Sequence, residues 1–202
     1  MRRGARTVSA LILCAVIIVA FYMYLNKAAG DREEKAKTET ITEMDRLLDA
    51  DFDKYYPPTP RAVIKYYNRY SMVCFGEEKP SESDTKKLAK KMRELMDDDL
   101  AAANSESSYA ASLWSEAKDF TDRKATLIEA DVDDTDDVVY KTIKDKNYAY
   151  VQTMYLIREA GTYTTTYQKF VLRQDKDENW KIYGFSRTDK DGNPVDTTTK
   201  TK

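Results

Sequence analysis

The sequence predicts an α+β domain behind a single membrane-spanning helix, with helices first and an antiparallel sheet after them. Three observations predict it. Val8 to Leu25 is an 18-residue run without a charge. From about residue 40 to 119, apolar residues recur at helical spacing. From about residue 123 the period becomes alternating. The 202 residues provide one ordinary domain plus an appendage.

At ~1.5 Å per residue the apolar run spans roughly 27 Å, close to the hydrocarbon thickness of a bilayer. Tyr22 and Tyr24 stand at its far end, where amphipathic rings suit the interface. A cleavable signal peptide would carry a shorter apolar region, ~7–15 residues. Ala28 and Gly30 could serve such a cut, but the longer run and its FYMY end favour a retained anchor over 8–26. A lipid-modified Cys14 does not fit, because Leu13 precedes it and the cysteine lies mid-run. Arg2, Arg3 and Arg6 make residues 1–7 a short basic tail. The bases after the span are interleaved with Asp31, Glu33 and Glu34. The expected topology is single-pass in the cell membrane, N-terminus inside and the C-terminal domain outside. Residues 27–39 read as a charged tether.

The soluble domain is expected over 40–188. A short helix is predicted over about 40–53, with Ile41, Met44, Leu47, Leu48 and Phe52 at helical spacing, and Pro57, Pro58 and Pro60 keep it from continuing. Thr59 and Pro60 start a second helix that Gly76 ends. Its apolar stripe is Val63, Tyr66, Tyr67, Tyr70, Val73 and Cys74. A third helix is predicted from a cap at Ser83 or Asp84 to about Asn104, with Leu88, Met92, Leu95, Met96 and Leu100 inward. A fourth runs over about 107–119 and buries Tyr109, Leu113 and Trp114.

Five runs then alternate: KATLIEADV, DVVYKTIK, NYAYVQTMYLIRE, TYTTTYQKFVLRQD and NWKIYGFSR. They are rich in Tyr, Val, Thr and Ile, as strands are. Short turn-like joints make neighbours antiparallel, since a parallel crossover needs a dozen or more residues. In the third run Tyr148, Tyr150, Met154 and Leu156 point one way, and Val151, Tyr155 and Ile157 the other. Residues 189–202 read as a disordered polar tail.

This order of elements, closing on a last strand with Trp180, Ile182, Tyr183 and Phe185, resembles the NTF2-like (nuclear transport factor two-like, cystatin-like) superfamily. The resemblance covers about residues 55–188. It implies helices seated in the concavity of a curved antiparallel sheet, forming a cone. A membrane anchor before such a domain is similar to uncharacterised bacterial single-pass proteins and to scaffold subunits of secretion and conjugation machines.

Composition narrows the function. The first 30 residues hold four bases and no acid. The remainder holds 29 bases against 35 acids, which argues against nucleic-acid binding. The chain has no His, which removes the commonest general base and transition-metal ligand. Cys14 and Cys74 are its only thiols, and Cys74, on an apolar stripe, is expected as a buried free thiol. Five carboxylates crowd Asp131–Asp137, but a calcium loop would need Gly where Asp136 stands and Glu where Thr142 stands. The Asp175 and Asp189 runs fail similarly, so all three are expected as turns. No catalytic, cofactor-binding or metal-ligating residue is assigned, and no cofactor.

Tyr supplies 15 of the 23 aromatic residues. A ring that packs and a hydroxyl that bonds suit a contact surface, so Tyr148, Tyr150, Tyr163 and Tyr167 are the candidate binding surface. The expected function is a tethered extracytoplasmic module that binds a protein or envelope component, or a second copy of itself as a homodimer, without catalysis. One alternative is a small-molecule binder, or an isomerase- or dehydratase-like enzyme, that uses the cone cavity. It requires a sizeable cavity with convergent polar groups and a perturbed carboxylate or Tyr. A cone filled by Tyr67, Tyr70, Met92 and Met154 would leave no such room. The other alternative is a scaffold role in a secretion or conjugation complex.

Overall fold

The computed structural model describes residues 41–195. The basic tail, the expected span over 8–26 and the tether lie outside those residues. No helix among the described residues is long and apolar enough to cross a membrane. The chain is α+β: among the described residues, five helices precede an antiparallel sheet.

Helix α1 (Glu43–Leu48) is shorter than the 40–53 expected. Thr42 starts it with a reciprocal box: its hydroxyl accepts from the Asp45 N–H, and the Asp45 carboxylate accepts from the Thr42 N–H. Phe52 still reaches the core, but from the turn beyond the helix. Helix α2 (Pro60–Phe75) has the expected bounds. The Thr59 hydroxyl accepts from the Ala62 N–H at 3.1 Å, and Pro60 takes the first turn. Gly76 ends it, donating to the Met72 carbonyl, which any Cβ there would meet at 2.1 Å. Asn68 and Ser71 are buried beside the apolar stripe, whereas Tyr66 is half-buried.

Helix α3 (Glu82–Glu94) is capped by Ser81, two residues earlier than the sequence suggested. It does not continue to Asn104. Leu95 to Asp97 leave the helix and join the edge of the last strand. The Ile182 N–H donates to the Leu95 carbonyl and the Asp97 N–H to the Ile182 carbonyl, both at 2.8 Å. Met96 and Ile182 form a parallel bridge. The Asp97 carboxylate then accepts from the Asp99 N–H and opens α4 (Asp98–Ala103). Periodicity hides this break, because Leu95 and Met96 are buried on either path. Helix α5 (Glu106–Asp122), capped by Ser105, is longer than expected and buries Ala110, Leu113 and Ala117. Trp114 is half-buried.

The strands are β1 (Ala125–Val132), β2 (Val139–Ile143), β3 (Lys146–Glu159), β4 (Thr162–Gln174) and β5 (Trp180–Thr188). All pairings are antiparallel, in the order β1–β3–β4–β5, and β2 pairs with β3 as well. Because β4 occupies one edge of β3, β1 and β2 share the other, end to end. Two-residue turns join β2 to β3 and β3 to β4. Lys144, Asp145, Ala160 and Gly161 have positive φ, as the twist of such hairpins demands.

One face of the sheet packs on the helices. Ala149, Val151, Thr153 and Tyr155 of β3, Phe170 and Leu172 of β4 and Ile182 of β5 are buried there. They meet Val63, Ile64, Tyr67 and Tyr70 of α2 and Leu88 and Met92 of α3. The expectation of a disordered tail is corrected at its start. Asp189 to Val195 form an ordered turn in which the Asp189 carboxylate accepts from the Asp191 and Asn193 N–H groups. The Val195 N–H returns to the Arg187 carbonyl.

Candidate functional site

The four expected surface tyrosines do occupy one face of the sheet, the one away from the helices. In the β3–β4 register Tyr148 stands opposite Arg173 and Tyr150 opposite Val171. Tyr167 stands opposite Met154 and Tyr163 opposite Arg158. Ten residues separate the first of these pairs from the last along each strand, roughly 33 Å. The Asp189–Val195 turn lies between them: the Gln152 amide donates to the Lys190 carbonyl and the Lys169 ammonium to the Gly192 carbonyl. Gly192, with φ +79°, sits so close that a Cβ would meet Lys169 Nζ at 2.3 Å. Tyr148 packs edge-on against Tyr183, Tyr150 lies under the Lys141 ammonium, and only Tyr163 is largely exposed, at 59%. The four share a face without converging on one patch.

Convergence occurs on the other side. Between α2, α5 and the helix-facing side of the sheet is a pocket of about 280 Å³. Helix α2 contributes Tyr67, Ser71 and Phe75, and α5 contributes Tyr109, Ser112, Leu113, Glu116 and Phe120. Leu127, Tyr155, Ile157, Thr166, Gln168 and Phe185 close it from the sheet. The spacing of Tyr109, Leu113, Glu116 and Phe120 places them on one face of α5. Tyr70 and Met92 fill the adjoining core as expected, but Met154 points to the opposite face of the sheet, as β3 alternation requires.

Three hydroxyls of this pocket are anchored from behind. The Tyr155 hydroxyl donates to Asn68 Oδ1 at 2.7 Å, and the Asn68 amide donates to the Thr153 hydroxyl. The Ser71 hydroxyl donates to the Tyr67 carbonyl, and the Tyr109 hydroxyl to the Met92 sulfur at 3.8 Å. Burial pushes the Tyr67 phenol up to about 12 and moves Tyr109 and Tyr155 upward too. Glu116 lies at the rim. Desolvation first, and the nearby Asp119 second, hold its carboxyl above the usual range. Sequence reasoning takes these tyrosines as core and passes over Glu116. The signal that could have found it is a carboxylate on an otherwise apolar helical stripe.

Outside the pocket, Arg61 holds the acidic loop: its guanidinium donates to the Asp133 and Val132 carbonyls and to the Asp134 carboxylate. No group of three or more Asp, Glu or Cys among the described residues is arranged to hold a metal ion. Cys74 is a buried free thiol, pushed up to about 12 by burial.

A family model described as "Domain of unknown function (DUF6715)" matches residues 1–185, and the chain belongs to that family. No curated protein matches the chain.

Proposed function

With one family spanning both the apolar segment and the domain, we propose that this chain is a membrane-tethered extracytoplasmic module, anchored through residues 8–26 and built on an NTF2-like cone. It binds a small, mostly apolar molecule between its helices and sheet without transforming it. The observation that carries the reading is the aromatic pocket with its anchored hydroxyls. Its volume is near the lower end of ordinary ligand sites, ~300–1,000 Å³. Binding without catalysis is the reading because the acid and base a reaction needs are not assembled from these groups. The three phenols lie above their ordinary pKa, the lone carboxyl stands at the rim, and the chain has no His. No acid and base are paired across the site.

Two measurements test this. Ligand-observed NMR of the full chain with small aromatic molecules should report binding that Ser112→Trp, which fills the pocket from α5, weakens by more than tenfold. Equal binding to both chains would refute the site. A cysteine at Tyr163, on the exposed β3–β4 end, should react with a membrane-impermeant maleimide in intact cells. Reaction only after lysis would refute the orientation.

A second reading, contact with a protein or a second copy, has its own support. Every residue of β2 is exposed, including Val139, Tyr140 and Ile143. An apolar strand at a sheet edge is a template for another chain. Light scattering of the full chain against Tyr140→Lys would detect a change in mass if copies pair there.

A further inference from the structure

Part of the pocket's polar lining presents acceptors, while Tyr67, Ser112, Thr166 and Gln168 also carry donor groups. Three hydroxyls have already committed their protons to the interior: Tyr155 to Asn68, Ser71 to the Tyr67 carbonyl and Tyr109 to Met92. What each can still offer a ligand is oxygen lone pairs. Glu116 adds a carboxylate and is the sole charged residue of the lining, which contains no Lys or Arg. The remaining surface is largely aromatic, from Tyr67, Phe75, Phe120 and Phe185 among others.

We propose that the ligand class of this pocket is an organic ammonium ion, an amine carrying an apolar body, in preference to a neutral or anionic molecule of the same shape. The inference rests on the ligand-binding reading above and deepens it. An ammonium brings donors and no acceptor, the complement of those lone pairs and of the Glu116 carboxylate. Ring faces attract a cation through their quadrupole, more strongly when water is excluded. Phe120 already receives one: the Arg123 guanidinium lies 5.3 Å from its ring centre, outside the pocket lining. An arriving cation also pairs with the Glu116 carboxylate at the rim. An anion would meet the Glu116 carboxylate with no cation to offset it.

The test is calorimetry on the full chain in zwitterionic-lipid nanodiscs, with empty nanodiscs as the reference. The probes are phenethylammonium, 2-phenylethanol and phenylacetate: one body carrying a positive, a neutral and a negative head. Phenethylammonium should bind about tenfold more tightly than the alcohol, with phenylacetate weakest. Glu116→Gln, at an exposed position where folding is not at stake, should bring the ammonium down to the affinity of the alcohol. Alcohol or phenylacetate binding as tightly as the amine overturns the ammonium inference and leaves the ligand-binding reading standing. A tenfold preference that survives in Glu116→Gln overturns the role given to that carboxylate. No binding of any probe overturns both readings.

Discussion

Asp97 joins three parts of the fold, so its removal is a demanding test of how the helical layer is pinned to the sheet. Its side chain is 4% exposed and accepts from Arg173 Nε at 2.9 Å and from Arg173 Nη2. It also accepts from the Asp99 N–H, capping α4. In Asp97→Ala the Arg173 guanidinium, 13% exposed, keeps only Asp99 at 2.8 Å and the face of Tyr183. Breaking a buried pair from one side costs roughly 3–5 kcal/mol, and a lost cap about 1 kcal/mol. Because Asp99 and Tyr183 remain, the total should fall near 3–4 kcal/mol, which lowers the melting temperature by about 10 °C in a domain of this size. Arg173→Met strands Asp97 and should cost a similar amount. The double variant Asp97→Ala/Arg173→Met should cost far less than the two together, leaving about 2 kcal/mol or more of coupling. Urea unfolding followed by tryptophan fluorescence measures all three. Two single losses under about 1 kcal/mol, or losses that simply add, would refute the view that this pair holds the helix break to β5.

Three further expectations concern the pocket, a turn and the acid range. Tyr155→Phe leaves the Asn68 carbonyl oxygen without its donor at a site 3% exposed, so stability should drop about 1–3 kcal/mol in urea melts; an unchanged midpoint would mean that water replaces the hydroxyl. Ala160, at φ +47°, bears a side chain where the β3–β4 turn suits glycine. Ala160→Gly should gain about 0.5–1 kcal/mol, and a loss would show that the left-handed strain is negligible beside chain entropy. Asp45, Asp84 and Asp189 lie below the ordinary carboxylate value of 3.8. Asp45 is held there by hydrogen bonds from Thr42, Asp84 by Lys87 first and then Ser81, and Asp189 chiefly by Asn193. A depressed native pKa gives stability that is complete above the unfolded value and lost as pH falls through the folded one. Neutralising all three by Asp→Asn should therefore flatten the fall in stability below about pH 4; an unaltered acid limb would place its origin elsewhere.

Much of the fold was legible locally. Thr59 with Pro60 and Gly76 fixed the ends of α2 because caps are short-range chemistry. The five strands followed from alternation and from turn residues. Two of the failures arose where the deciding contact is distant in sequence. The break after Glu94 depends on Ile182, and the ordering of Asp189–Val195 depends on Gln152 and Lys169. For the site, alternation correctly placed four tyrosines on one face. It could not indicate that a turn would part them, nor that Tyr67, Tyr109 and Tyr155 from three elements would surround one space.

The sequence by itself determined the α+β order, the antiparallel pairing, the two faces of each strand and an acidic, histidine-free chemistry, all properties of local pattern and composition. Tertiary structure alone decided where a pocket opens between helices and sheet. Whether a tyrosine packs, lines a pocket or meets solvent is set by what other elements leave open beside it, and here α2, α5 and the sheet leave room around Glu116.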